Sequence, residues 1–269
     1  MRSSQHEASA RRTLWNTLDT RPAEQFDYYR EAICRAFMNL TPEPPSSKGF
    51  RARVESYRVG EGAINRVLFP THVVRRSLAD VAASDRSCFY LNLKLAGGCR
   101  IRQADHELAL SPGRVGIFES EKEFALIHDG GPRLEVVSFL VPSQRLRERL
   151  PSSFRFSAAC VSDDRLLGRL IVETARVLNA DILQMSEEES VRLFDVLIEL
   201  VAMSLSPRRY ANITEADGLA DAATLRLKRA IYERLREPGL AVGDVAGAVG
   251  ISERYVHKLL QRLGLTFNM

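Results

Sequence analysis

No stretch of this 269-residue chain approaches the ~20 consecutive apolar residues that a membrane-spanning helix needs, so no membrane is expected among its partners. The N-terminal stretch, rich in Ser, Arg and Gln, holds no apolar signal-peptide core. Its Arg11-Arg12 pair runs into Thr-Leu-Trp-Asn, too polar for a twin-arginine signal, and the chain is expected to stay in the cytoplasm. The four cysteines, Cys34, Cys88, Cys99 and Cys160, lack metal-ligand spacing and flanking positive charge, which makes them small buried hydrophobes in a reducing compartment. His72, His106 and His128 are isolated from one another. A cupin-type metal site needs two histidines one residue apart and a carboxylate a few residues on, so neither a metal nor another cofactor is expected. Also missing are a Ser/His/Asp elbow, a phosphate-binding glycine loop and a paired-carboxylate signature. With those constellations gone, the chain is read as a non-enzyme.

What is present divides into two textures. Residues 1–24 have no apolar periodicity and are expected to be disordered. Phe26, Tyr29, Ile33, Phe37 and Leu40 recur at helical spacing, and a Pro- and Ser-rich segment, residues 41–49, ends that helix. Eight short strands follow, at 51–58, 64–69, 88–95, 99–103, 107–110, 115–118, 123–128 and 134–140, with turns at Gly97-Gly98, Ala104-Asp105, Ser111-Pro-Gly113 and Asp129-Gly-Gly-Pro132. In Phe89-Tyr-Leu-Asn-Leu-Lys-Leu95 the apolar residues mark one face, and Asn92 and Lys94 the other. Many short strands at near-regular spacing predict a sandwich or barrel, and a small barrel suits one small ligand. Tyr57, Phe89, Tyr90 and Phe118 are the aromatic candidates for lining such a pocket. Two amphipathic helices then occupy the stretch 163–205, and their apolar faces leave three uses open: core packing, capping the barrel, or a homodimer surface. Residues 206–221 read as a linker.

The C-terminal stretch, 222–269, is different again. Val242, Val245, Ala246 and Val249 form one apolar helical face, Gly250 stops that helix, and Ser252 is a good N-cap for the next. In the second helix Tyr255, Val256, Leu259, Leu260 and Leu263 form the buried stripe, and Arg254, His257, Lys258 and Gln261 share the opposite face. Ala246 is expected where the two helices cross, Gly250 at the turn, and Val256 packed back under the first helix. This is the spacing of a helix-turn-helix, whose second helix enters the major groove of DNA. Residues 222–269 carry eight Lys/Arg, Arg262 among them, against four acids, an excess of +4 that equals the net charge of the whole chain. A positive excess confined to one segment is the electrostatic footprint of a nucleic-acid binder.

The chain resembles the AraC/XylS family of bacterial transcription regulators. The residues that carry the resemblance are Leu227-Lys-Arg-Ala-Ile231, Leu240-Ala-Val-Gly-Asp-Val-Ala246, Val249-Gly-Ile-Ser-Glu-Arg-Tyr-Val-His-Lys-Leu259 and Gly264-Leu-Thr-Phe267. In the N-terminal part they are the helix at 26–40, Arg51-Ala-Arg53, His72-Val-Val-Arg-Arg76, Tyr90-Leu-Asn-Leu93 and Leu110-Ser-Pro-Gly113. The likeness covers about residues 25–267. It implies an α+β protein: a cupin-like β-barrel sensor with flanking helices over 25–205, then a small all-α helix-turn-helix unit. It further implies that Arg254, His257 and Lys258 face bases, with Ser252, Tyr255 and Arg262 at the same DNA interface and Ser252 near phosphates. Members of the family carry two helix-turn-helix units, and this sequence reaches Met269 after the first. Two functions therefore follow as expectations. One is a sequence-specific, double-stranded-DNA-binding regulator that answers an unknown small-molecule effector. The other is a truncated regulator that senses ligand or dimerises without binding DNA productively on its own.

Overall fold

The computed structural model describes residues 11–44, 49–151, 154–163, 166–205, 227, 230, 231, 234 and 240–262. The predicted linker, most of the helix before Leu240 and the Gly264-Leu-Thr-Phe267 run lie outside the described residues. The chain divides into two compact units, the first essentially up to Ser206 and the second from Pro207.

The first unit is two antiparallel sheets. The larger holds β1 (Arg12–Asn16), β3 (Arg53–Val59), β4 (Gly62–Phe69), β11 (Leu134–Pro142), β6 (Cys88–Ala96), β9 (Val115–Glu119) and β12 (Ala159–Cys160) in that spatial order. The smaller runs β2 (Thr41–Pro42), β5 (His72–Arg76), β10 (Phe124–Asp129), β7 (Gly98–Gln103) and β8 (His106–Leu110). All eight strands expected from alternation are found, each within a few residues of its expected bounds. The turns between them use positive φ at Gly97, Gly113, Gly130 and Gly131, and at Ala104, the one non-glycine among the described residues to do so. Val54, Val67, Phe69, Tyr90 and Val136 from the larger sheet and Val74, Ile101 and Leu126 from the smaller belong to one buried cluster, so the sheets face each other across a common core.

Residues 12–19 correct the expectation of disorder over 1–24. Arg12–Asn16 pairs antiparallel with β3, Arg12 opposite Tyr57 and Asn16 opposite Arg53. A turn of 3-10 helix at Thr17–Asp19 follows, capped by the Asn16 side chain. The reason lies in long-range partners that composition does not display. Buried Thr17 donates its hydroxyl to the Phe50 carbonyl at 2.7 Å and accepts from the Ala52 N–H at 2.7 Å. Arg11 reaches the Ser190 hydroxyl and the Met185 carbonyl.

Helix α1 (Gln25–Ala36) packs Tyr29, Ala32 and Ile33 into the core. It stops before the expected Leu40, because Phe37 leaves helical geometry at φ −111°, ψ −98°. Two short helices not foreseen from periodicity, α2 (Leu78–Ala82) and α3 (Ser143–Arg147), are each a little over one turn. The predicted pair appears as α4 (Leu167–Asp181) and α5 (Glu187–Leu205), packed on each other, with α5 against the outer face of the larger sheet. Phe194 stands 6.4 Å from Phe139 between ring centroids, and a Cβ on Gly62 would lie 2.8 Å from the Phe194 ring. Neither face of β6 therefore meets solvent. Phe89, Leu91 and Leu93 are buried on one side, while Tyr90, Asn92 and Lys94 are buried on the side turned to the other sheet.

Arg76, 2% exposed, closes one end of that interior. It donates to the Ser120 carbonyl, the Asn39 carbonyl and the Ser84 hydroxyl, tying β5 to the chain after β9, to the end of α1 and to the loop after α2. Arg76→Ala strands those acceptors in the interior. A loss of about 2 kcal/mol is expected, read as a lower urea midpoint at unchanged m-value.

In the second unit α6 (Val242–Val249) and α7 (Glu253–Arg262) are joined by a tight turn. Gly250 sits in the left-handed region at φ +73°, ψ +34°, and its N–H and that of Ile251 both return to the Ala246 carbonyl. Asp244 caps the start of α6 by accepting the Ala241 N–H. Leu227, Val245, Ala246, Val256, Leu259 and Leu260 form this unit's own core.

Candidate ligand cavity and nucleic-acid face

Between the two sheets lies a cavity with about 40 Å³ of open space, room for a few waters. Its walls are mostly apolar: Ile33 and Phe37 from the α1 region, Val67, Phe69, Phe118 and Val136 from the larger sheet, Val74, Phe124 and Leu126 from the smaller. Alternation explains the selection. Residues two apart on a strand share a face, so Tyr90 and Asn92 point inward together, and Ser138 joins them because it is the register partner of Asn92 on β11.

Of the four aromatic candidates, Tyr90 and Phe118 line the cavity, their rings stacked at 5.1 Å. Phe89 and Tyr57 do not. Phe89 is adjacent to Tyr90 in the strand and so faces the opposite way, against Phe156 at 4.7 Å and under the Arg147 guanidinium. Tyr57 shares the face of β3 that carries Glu55, to which its hydroxyl donates at 2.7 Å.

The polar inventory of the interior was not visible in the sequence. His72 and His128, 56 positions apart and expected to be isolated, are register partners on β5 and β10, with rings stacked at 5.4 Å. His72 Nδ1–H donates to the Pro70 carbonyl at 2.9 Å, leaving Nε2 to accept the Tyr29 hydroxyl at 2.9 Å. Burial holds His72 down to about 4, with the Lys94 charge acting in the same direction; burial, His72 and Lys94 hold His128 well below the usual imidazole range. Both rings are thus neutral at neutral pH. No cluster of three or more His, Cys, Asp or Glu able to hold a metal occurs among the described residues. Burial pushes the Cys88 and Cys99 thiols up to about 12, which keeps them protonated.

Several interior groups have no partner. Tyr90 Oη, Asn92 Oδ1, Lys94 Nζ, His128 Nδ1 and Ser138 Oγ are all buried without a hydrogen bond. Lys94 lies next after Asn92 on the same face, its Nζ 5.3 Å from the Phe69 centroid, and Phe69 in turn is 4.6 Å from His128. Phe37 lines this cavity and also a separate open groove of about 670 Å³ that Arg35, Arg58 and Arg86 border.

In the second unit, the face of α7 opposite Val256, Leu259 and Leu260 presents Arg254, His257, Lys258 and Gln261, all exposed. Ser252 is also exposed, and its hydroxyl accepts the Tyr255 N–H at 3.3 Å, so this side chain is used as the cap of α7. Tyr255 is half-buried against the unit's core. Ala246 and Val256 are buried in the contact between the helices, and Gly250 makes the turn. The side chain of Arg262 lies outside the described residues.

Residues 29–206 match the AraC-binding-like domain. The chain is 23% identical over 243 residues to an uncharacterised protein from the nit 5′ region of Bacillus sp. (strain OxB-1), spanning 88% of this chain and 92% of that one. It is 26% identical over 231 residues to the transcriptional activator NphR of Rhodococcus sp., spanning 84% of this chain and 66% of NphR. Among solved structures, the AraC-like transcriptional activator CuxR superposes with a TM-score of 0.61 at 17% identity, over 95% of this chain and 90% of CuxR, a likeness of fold.

Proposed function

From the premise that this chain belongs to the AraC-binding-like domain family, we propose that it is a sequence-specific, DNA-binding transcription regulator rather than an enzyme, with the first unit sensing a small-molecule effector. The observation that carries the DNA half is the exposed face of α7. Arg254, His257, Lys258 and Gln261 recur at helical spacing on a helix whose other side is buried, so one basic, hydrogen-bonding stripe is free to enter a major groove. NphR, a transcriptional activator, supports the same reading. The sensing half rests on the cavity, whose unpartnered polar groups are set in apolar walls as in small-molecule sites.

The direct test is a gel shift of the full chain against DNA from its own upstream region, at several salt concentrations. Retarded, sequence-dependent complexes are expected, with an affinity that falls linearly in log salt. No binding even at low salt would refute the reading.

A second copy of the chain is the proposed protein partner. Each long helix keeps apolar side chains exposed one heptad apart, Leu170 and Val177 on α4 and Val196 and Met203 on α5. Leu170→Glu combined with Met203→Glu is expected to raise the dimer dissociation constant by roughly tenfold or more, measured by sedimentation equilibrium. A monomeric native chain would remove this part of the proposal.

A further inference from the structure

We propose that the cavity between the sheets takes an organic anion with an apolar body, its acid group received by Lys94 at the end where Phe69, which Lys94 and His128 each approach, lines the wall. This deepens the effector reading above and rests on it.

The argument begins with charge. Lys94 is 0% exposed and Arg76 2%, both on the inner faces of their sheets. Among the described residues neither lies within 4.0 Å of a carboxylate. Arg76 is satisfied by neutral acceptors, whereas the Lys94 ammonium makes no hydrogen bond at all. The acids on neighbouring strands are engaged elsewhere, Glu135 with Arg66 at 2.6 Å and Asp129 with Arg100 at 3.9 Å. A buried cation without a counter-charge is costly, and a ligand that supplies the missing anion removes that cost on binding.

The hydrogen-bonding groups point the same way. Asn92 and Ser138 are register partners one step along the sheet from Lys94, and His128 faces them from the other sheet. Ser138 Oγ and His128 Nδ1 are unpartnered and each can donate to an acid oxygen. The four-carbon stem of Lys94 lets its ammonium turn toward a head group placed there. The rest of the cavity is apolar, with Tyr90, Phe118 and Phe124 in mutual ring contact. An apolar body fits that wall, and a second charge does not. The open space of about 40 Å³ is smaller than such a ligand, so a side chain must give way. Phe37, which borders both the cavity and the outer groove, is placed to do so.

The experiment is calorimetric titration of the full chain with matched sets: phenylacetate, phenylacetamide and phenethylamine, and hexanoate, hexanamide and hexylamine. In at least one set the acid is expected to bind roughly tenfold or more tighter than its amide, with no binding of the amine. Lys94→Met is expected to abolish that preference while leaving amide affinity unchanged, and Lys94→Arg to restore it. Near-UV circular dichroism checks that both variants fold. An amide that binds as tightly as its acid, an acid preference that survives Lys94→Met, or no binding of any acid at millimolar concentration would overturn the proposal. The two readings fail separately. Amides that bind and alter operator affinity leave the regulator standing without the anion. Acids that bind through Lys94 in a chain that never binds DNA leave the anion standing without the regulator.

Discussion

Replacing Arg254 and Lys258 together by Ala is expected to lower affinity for the cognate operator by roughly 30- to 1,000-fold, about 2–4 kcal/mol, without unfolding the second unit. Both side chains are exposed on α7, whereas its stability resides in Val256, Leu259 and Leu260 packed on Val245, Ala246 and Leu227. A melting curve within a degree or two of the native one therefore accompanies the loss, as for surface substitutions generally. The single variants separate the roles. If Arg254 reads a base edge, Arg254→Ala weakens the cognate site more than a scrambled one and flattens discrimination at one base pair. If Lys258 pairs with phosphate, Lys258→Ala weakens both alike and reduces the slope of log affinity against log salt by about one. Quantitative gel shifts over a salt series give both numbers. Unchanged affinity in the double variant would remove α7 from the interface.

The extent to which this molecule could be read in advance follows from where each signal lives. Signals local in sequence were readable: alternation in β3, β4, β6 and β11, the 3.6-residue periodicity of α4 and α5, and the glycine that turns α6 into α7. Features created by long-range pairing were not. Strand β1 looks like an unstructured arginine-rich tail until β3 offers it a partner and Thr17 finds the Phe50 and Ala52 backbone. Strand β5 ends in two arginines, a pattern suited to solvent, yet Arg76 is turned inward because three separate loops deliver acceptors to it. Asn92 and Lys94 read as the polar face of an alternating strand, but both sides of β6 are buried, Phe89 against Phe156 and Arg147 on one, and Tyr90, Asn92 and Lys94 on the side turned to the facing sheet. Periodicity states which residues share a face and not what lies opposite, and that gap conceals the cavity's polar groups.

The stacked histidines predict an acid sensitivity with a defined window. In the unfolded chain each ring titrates near 6.5, whereas folded His72 is held down to about 4 and His128 well below its ordinary value, chiefly by burial. Between those limits the unfolded state binds more protons than the folded one, so stability is fully present above about pH 6.5 and drains away as the pH falls toward 4. For His72 the depression amounts to about 3 kcal/mol lost across the window, at roughly 1.4 kcal/mol per pH unit. His128 adds to it, because a proton on either ring faces the other ring and the Lys94 ammonium. Protonating His72 also requires the Tyr29 hydroxyl to reverse, since Nε2 then donates where it had accepted. Glu55 does not confuse the result. Burial raises its carboxyl, but the Tyr57 hydroxyl and the Arg53 and Arg12 guanidiniums outweigh that and hold it below its ordinary value, so its loss falls at lower pH. Urea midpoints measured from pH 7.5 to 4.5 are expected to fall steeply in the native chain. His128→Gln, which keeps a polar side chain but cannot charge, is expected to be less stable at pH 7.5 and to lose less per pH unit on acidification. Parallel pH profiles for the two proteins would place the acid sensitivity outside the histidine pair.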